Sequence, residues 1–435
     1  MSIQNILDIY TKIADSVVEK NQFSSLRFRN TLEPIFEQEG FRKNLFDTKQ
    51  NPRILILQDA SIGDFILLSP CIREIRRLYP HSRITLLIHE RVHEIAICCP
   101  YVDEVIQFNA FENMRDFKKL FRQFIEISET LLERHFDLAF LFNHFMTTSL
   151  LAYMSGARER IISEEQGNPL EFKIDPMKFT SPLVTTILPK LAKTNHAVDN
   201  NLKLLDHFLH APIRNREIEI WYSPQDRELA KKIFSQRKFH NPRQVYSLTL
   251  GGTRPGNWYP PMKYAEVAKT VLENDPNACF ILLGWQREIP FIKRFLTELH
   301  GQYVDRVLNL AGQLTLRQCA ALISLCSAHI GNDTGTMHLA AAAHIPCLEV
   351  TPYPADQELR ANTIFLKFAP YHVPAVVVQP AKSLPECIDS QEPHGCLSSS
   401  KPHCIATIHP QKVLDGFMLL QQKIRRNDRS LSLIH

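Results

Sequence analysis

Asp64, Glu288 and Asp333 stand where a carboxylate could act on a ligand. Asp64 follows the apolar run Ile54 to Leu57 through the turn Ser61-Ile62-Gly63 and opens an amphipathic stretch. A carboxylate held at the end of a strand can take a proton from a substrate hydroxyl, as a general base must. The plain alternative is a first-turn acid favoured by the helix dipole, with Gly63 easing the turn. Asp333 lies in Gly331-Asn332-Asp333-Thr334-Gly335-Thr336, between an apolar run ending at Ile330 and a helix of small residues, Ala340 to Ala343. The open amides of that helix start, with the Thr334 and Thr336 hydroxyls, suit a diphosphate, and Asp333 beside them can bond sugar hydroxyls. In the plain alternative Asp333 or Thr334 only caps the helix, and His338 packs inside it. Glu288 comes a few residues after the run Cys279 to Leu283, a place from which acidic side chains bond ribose hydroxyls. A solvated first-turn glutamate would read the same way.

Two further segments carry polar chemistry. In Gly251-Gly252-Thr253-Arg254-Pro255-Gly256-Asn257-Trp258-Tyr259-Pro260-Pro261, glycines let backbone approach a ligand closely and Arg254 offers a planar fork for phosphate. Cys387, Cys396 and Cys404, with His394 and His403 nearby, fall in a polar, proline-bearing segment. Their spacing lacks the paired C-x2-C of a strong metal motif, so no metal site is assigned, and any ion held there would be structural. Cys71, Cys98, Cys99, Cys279, Cys319, Cys326 and Cys347 lie in apolar periodic segments and read as core.

These residues need elements to position them. From Ile54 onward, short apolar runs alternate with helical stretches: Ile54 to Leu57, a helix Ile66 to Leu78, then Ile84 to Ile88 and Glu104 to Phe108. A long helix from Asn113 to Arg134, the run Leu138 to Phe142 and a helix reaching Met154 follow. This is the rhythm of βαβ units on a parallel sheet. Residues 164 to 245 are interrupted by prolines and read as crossover, linker and peripheral helices. The rhythm restarts at Val245 to Leu250 and runs to Cys347 to Val350. The expected architecture is α/β: two doubly wound, Rossmann-like domains facing a central cleft, with ligands outside the carboxyl ends of the strands. Residues 1–50 form an N-terminal helical extension, 51–220 and 221–410 the two domains, and 411–435 a C-terminal helix and tail.

Composition bounds the partners. A chain of 435 residues with 44% hydrophobic and 22% charged content is globular, which excludes a disordered or collagen-like chain. A net charge of +4 is too weak a field to point to nucleic acid, and it suits anionic small ligands. No apolar run approaches the ~20 residues of a membrane-spanning helix, and the first twenty residues lack the charged and apolar regions of a secretory signal. The expected address is cytoplasmic, compatible with peripheral contact at the cytoplasmic face of the inner membrane. Arg73, Arg76 and Arg77 read as the solvated face of a helix.

Together, the Ser61-x-Gly63-Asp64 turn with Pro70, the stretch Asp137 to Arg160 and the run Gly331-Asn332-Asp333-Thr334-Gly335-Thr336-Met337-His338-Leu339-Ala340 resemble glycosyltransferase family 9, the ADP-heptose:lipopolysaccharide heptosyltransferases. The resemblance covers Arg53 to Phe417. It implies a GT-B fold, an acceptor held by the N-terminal domain and a nucleotide-sugar held by the C-terminal one. By that likeness Asp64 is the general base of an inverting transfer of heptose from ADP-heptose to a lipopolysaccharide core. Thr253, Arg254, Asn257, Glu288, Asp333, Thr334, Gly335, Met337 and His338 bind the donor, and no cofactor is required. Family members usually carry a lysine at the place of Asn257. A neutral amide cannot neutralise phosphate, so Arg254 or Lys263 takes that role or turnover is reduced. The alternative reading is therefore a GT-B nucleotide-sugar-binding protein with reduced or lost transfer, or transfer to a protein acceptor. A dinucleotide-dependent oxidoreductase is disfavoured, because no G-x-G-x-x-G follows the first strand.

Overall fold

The computed structural model describes residues 51–108, 117–143, 146–163, 183–188, 196–209, 211–236, 244–299, 301–356, 366–385 and 403–435. The expected extension at 1–50 lies outside them. The chain divides into two compact units, one of residues 1–192 and 199–216, the other of 193–198 and 217–435.

The first unit is built on a six-stranded parallel sheet in the order β3-β2-β1-β4-β5-β6. Its strands are β1 Ile54–Gln58, β2 Ile84–His89, β3 Glu104–Phe108, β4 Leu138–Leu141, β5 Glu159–Ser163 and β6 Thr186–Leu188. Every residue of β1, β2 and β4 is buried, which is why they read as unbroken apolar runs and not as alternating ones. The helices are α1 Ile62–Leu67, α2 Ser69–Leu78, the single turn α3 His93–Ala96, α4 Phe117–Leu132, α5 Met146–Met154 and α6 Ala197–Leu209. The expected helix Ile66 to Leu78 is two helices, because Pro70 has no N–H to give to the Ile66 carbonyl. The Ser69 hydroxyl donates to that carbonyl instead, at 2.7 Å.

The arginines of α2 do not form a solvated face. Arg76 donates to the carbonyls of Tyr101, Pro80 and Ser82 and pairs with Asp103 at 2.6 Å. Arg77 bonds Glu74 and the Pro212 carbonyl, and Arg73 the Asn215 carbonyl. They fasten the helix to its own unit.

The second unit is built on a seven-stranded parallel sheet in the order β13-β12-β11-β10-β7-β8-β9. Its strands are β7 Val245–Thr249, β8 Cys279–Leu283, β9 Val307–Asn309, β10 Ala328–Asn332, β11 Cys347–Val350, β12 Ala375–Val378 and β13 Leu431–Ile434. Helices α7 Pro224–Gln236, α8 Pro261–Asn274, α9 Ile289–Leu299, α10 Leu316–Ile323, α11 Gly335–Ala342 and α12 Pro410–Arg426 flank it. The expected tail is an integral part of this unit. β13 pairs in parallel with β12, and α12 lies so close to the sheet that a Cβ on Gly416 would sit 2.9 Å from Leu348 Cδ1 and Val378 Cγ2. Helix α12 ends at Asn427 in the left-handed conformation, φ 53°, where Asp428 accepts from Lys423 Nζ at 2.8 Å and turns the chain into β13.

Both sheets reverse their direction of winding once. In the first unit the reversal falls between β1 and β4, in the second between β7 and β10. Open parallel sheets bind ligands at this point, beyond the carboxyl ends of the two strands.

Candidate active site

In the second unit, the glycine-rich loop leaves β7 and the Asp333 turn leaves β10, so the sequence motifs meet at the reversal point. Asn332 joins them. Wholly buried, it accepts from the Tyr259 amide at 3.1 Å and the Tyr264 hydroxyl at 2.9 Å, and donates to the Leu250 and Gly251 carbonyls at 2.9 and 3.4 Å. Asn332 stands inside the quoted motif, yet nothing in a single sequence marks it as the latch of the loop. Its four partners are assembled only by the fold.

Past Asn332 the chain enters α11 with Thr334 as N-cap, in extended conformation and with no side-chain cap. The Met337 amide donates to the Thr334 carbonyl at 3.0 Å, so Gly335 and Thr336 are left as the open amides of the helix start. The Thr334 and Thr336 hydroxyls bond each other at 2.9 Å beside them. Gly252 lies hard against this turn, since a Cβ there would be 2.4 Å from Thr334 Cγ2. Donors, hydroxyls and a bare backbone thus converge at a helix N-terminus, the arrangement that holds a diphosphate.

On α11, Met337 is wholly buried and its amide is engaged by the Thr334 carbonyl. His338 is buried, and its pKa is pushed down to about 3 by burial and by the neighbouring His196. A neutral imidazole can share a hydrogen bond there but brings no positive charge to a phosphate.

Asp333 is half-buried. Glu349 pairs in register with Gly331 and lies wholly buried behind it. Burial first, and then the nearby Asp333, hold the Glu349 carboxyl well above the usual range.

Glu288 sits at the end of a short 3-10 turn, Gln286–Glu288, after β8. Its carboxyl is buried against Gly251 and Gly284, where a Cβ on either glycine would approach it to 2.5 Å. Neither carboxylate oxygen has a hydrogen-bond partner. Burial pushes it up to about 7, against the pull of the Arg287 guanidinium and of the Trp285 and Gly252 amides, which fall short of full hydrogen-bond geometry. A buried carboxyl with open valences beside a glycine-rich loop is poised for the hydroxyls of a ligand.

Thr253 and Arg254 are exposed on the loop. Asn257 is buried with its Oδ1 unpartnered, and Trp258 donates its Nε1–H to the Gly252 carbonyl at 3.2 Å. Lys263 does not replace the missing family lysine: its Nζ is spent on the Ala406 and Ile408 carbonyls at 2.7 and 2.8 Å. Arg287, which sequence reading passed over, donates from Nη2 to the Gly252 carbonyl at 3.1 Å and so keeps a guanidinium at the loop.

In the first unit Asp64 is N3 of α1 and closes a capping box with Ser61. Ser61 donates to Oδ2 from its hydroxyl at 2.6 Å and from its amide at 3.2 Å. The plain reading of this residue is therefore real. It does not exclude chemistry, because the cap bonds fall on one oxygen and the half-buried side chain retains the other.

Of the tail cysteines, Cys404 is buried, with its Sγ 3.4 Å from His403 Nδ1, while Cys387, Cys396 and His394 lie outside the described residues. Among the described residues no cluster of three or more His, Cys, Asp or Glu is placed to hold a metal. No described helix is long and apolar enough to cross a membrane.

Comparison with known proteins bears directly on this arrangement. The model of glycosyltransferase family 9 (heptosyltransferase) matches residues 124–351, which include the β7 loop, Glu288 and the Asp333 turn. The chain belongs to glycosyltransferase family 9. It is a glycosyltransferase by that membership, and its relatives share the assignment. Lipopolysaccharide heptosyltransferase 2 of Escherichia coli K12 is 22% identical over 298 residues, spanning 68% of this chain and 81% of the relative. Lipooligosaccharide heptosyltransferase 2 of Haemophilus ducreyi is 23% identical over 300 residues, with the same coverage, 68% and 81%. Among solved structures, a family 9 glycosyltransferase from Veillonella parvula superposes with a TM-score of 0.65 at 19% identity, covering 88% of this chain and all of that one. ADP-heptose heptosyltransferase II of E. coli gives 0.60 at 20% identity, covering 85% and 99%. The fold is thus the α/β GT-B fold of family 9 transferases.

Proposed function

We propose that this family 9 transferase moves heptose from ADP-heptose to a lipopolysaccharide core acceptor, with inversion at the anomeric carbon. The observation that carries the reading is the uncapped start of α11, set against Gly252 and flanked by Asp333 and the unpartnered Glu288. The open amides and the Arg287 guanidinium take the growing charge of the leaving diphosphate. Glu288 takes the ribose hydroxyls, and Asp333 those of the transferred sugar. Asp64 takes the proton of the acceptor hydroxyl, whose oxygen attacks the anomeric carbon as ADP departs. A single displacement forms no glycosyl-enzyme intermediate, so one carboxylate suffices. The reaction would take place at the cytoplasmic face of the inner membrane, where a lipid-borne core is built.

The test is transfer itself. Purified protein with ADP-heptose and a core oligosaccharide lacking heptose should release ADP and add one heptosyl mass to the acceptor. Asp64→Asn, which can still accept the Ser61 bonds and keep the cap, should fold normally and lose transfer. Unchanged transfer would remove Asp64 from the mechanism.

Asn257 favours a second reading, a nucleotide-sugar-binding protein with reduced turnover, because a buried amide with an open Oδ1 occupies the usual place of a cation. ADP binding without transfer to any glycolipid or protein acceptor, and restoration of transfer by Asn257→Lys, would establish it.

A further inference from the structure

The reversal point of the second sheet carries the donor-side motifs. The corresponding point of the first sheet, between β1 and β4, carries polar groups that the proposed mechanism does not use. Asp59 follows β1, is wholly buried, and has no partner on either carboxylate oxygen. Asn143 follows β4. The register Leu57↔Leu141, carried on by the bond from the Phe142 amide to the Leu57 carbonyl at 3.2 Å, sets it opposite Asp59. Its Oδ1 and Nδ2 are also unpartnered, and so are the buried hydroxyls of Thr148 and Ser149 in the opening turn of α5. Leu55, Leu57, Ala139 and Leu141 share one face of the sheet and pack in one cluster with Leu150 and Leu151 of α5. Asp59 and Asn143 continue that face past the strand ends, towards the turn that begins α5.

A native fold seldom keeps so many buried polar atoms unpaired at two adjoining strand ends and the helix start that follows them, because each opposes folding and an apolar side chain of equal size would not. Their chemistry is specific. The carboxyl, the amide and the two hydroxyls supply both acceptors and donors and include no cation, which matches neighbouring sugar hydroxyls and not phosphate. Burial pushes the Asp59 carboxyl up to about 7, so near neutrality it can donate as well as accept.

We propose that Asp59, Asn143, Thr148 and Ser149 form a subsite that holds adjacent hydroxyls of a neutral sugar residue of the acceptor. This rests on the glycosyl-transfer reading above and adds to it a place on this chain where the acceptor is recognised. The full-length Asp59→Asn and Thr148→Val proteins are compared with wild type, using ADP-heptose and the core oligosaccharide lacking heptose. Both variants should raise the acceptor KM by about tenfold or more, the worth of one well-placed hydrogen bond, with the donor KM unchanged. Their thermal midpoints should not fall, since Thr148→Val removes an unpaired buried hydroxyl and Asp59→Asn puts an uncharged amide of the same shape in place of a buried carboxyl. Calorimetric titration of the oligosaccharide without donor reads the same contact. An acceptor KM and affinity unchanged in both variants would overturn the subsite while leaving the transfer reading intact. Lowered midpoints with donor and acceptor KM moving together would reduce these residues to a structural role and overturn it too. If wild type itself fails to bind or use this acceptor, the transfer reading falls and the subsite with it.

Discussion

Glu288→Gln should make the second unit more stable, and increasingly so as pH rises. The Glu288 side chain is 1% exposed with both oxygens unpartnered, and burial lifts its pKa from 4.5 to about 7. The native chain therefore holds a proton that the unfolded chain releases between those values. Below pH 4.5 the group is neutral in both states and takes nothing from stability. Above it the native state is progressively disfavoured, and at 1.36 kcal/mol per pH unit the loss levels off near 3 kcal/mol above pH 7. Glutamine has the same length and shape, clears Gly251 and Gly284 as glutamate does, and has no proton to lose. Urea unfolding followed by tryptophan fluorescence suits the measurement, because Trp221, Trp258 and Trp285 all belong to the second unit. The variant should exceed wild type by under ~1 kcal/mol at pH 5 and by about 3 kcal/mol at pH 8. On the proposed role of Glu288 it should also bind ADP about tenfold more weakly, for the loss of a charge-assisted bond to the ribose. A pH-independent difference, or a variant less stable at pH 8, would refute the argument. It would mean that the carboxylate is ionised in place and paired.

Asn332→Ala removes all four bonds that tie the glycine-rich loop to the Asp333 turn. At about 1 kcal/mol each it should lower unfolding free energy by roughly 3 to 4 kcal/mol and speed hydrogen exchange at the Tyr259 amide. Gly416→Ala should cost about 1 to 3 kcal/mol by forcing α12 off β11 and β12, seen as a lower thermal midpoint with no change in the donor KM. Asn257→Lys should tighten ADP binding, an effect that weakens as salt is added, because a cation meets phosphate where a neutral amide stood; equal affinities across a salt series would refute it.

Much of the fold is legible in the chain because the central strands of both sheets are buried on both faces. The runs at β1, β2, β4, β7, β8, β10 and β11 are continuous enough to be read without tertiary information. β5 hides because Arg160 stands in it. Its guanidinium is buried and its charge is met by the Leu183 and Ala157 carbonyls, a solution that sequence alone does not show. β6, β12 and β13 are short edge or near-edge strands whose pairing depends on neighbours far along the chain.

The site divides in a similar way. Local order along the chain determined where the turns, glycines and acids follow strands, and hence which residues gather at the reversal point between β7 and β10. Residue type also announced the departure at Asn257. Only the tertiary structure decided which of those groups stay open to a ligand. It buried Met337, made His338 neutral, spent Lys263 on two carbonyls, left Glu288 and Asp59 without partners and brought Arg287 to Gly252. Hydrogen-bond saturation and burial depend on what lies across the sheet, and in a parallel sheet that neighbour is always distant in sequence.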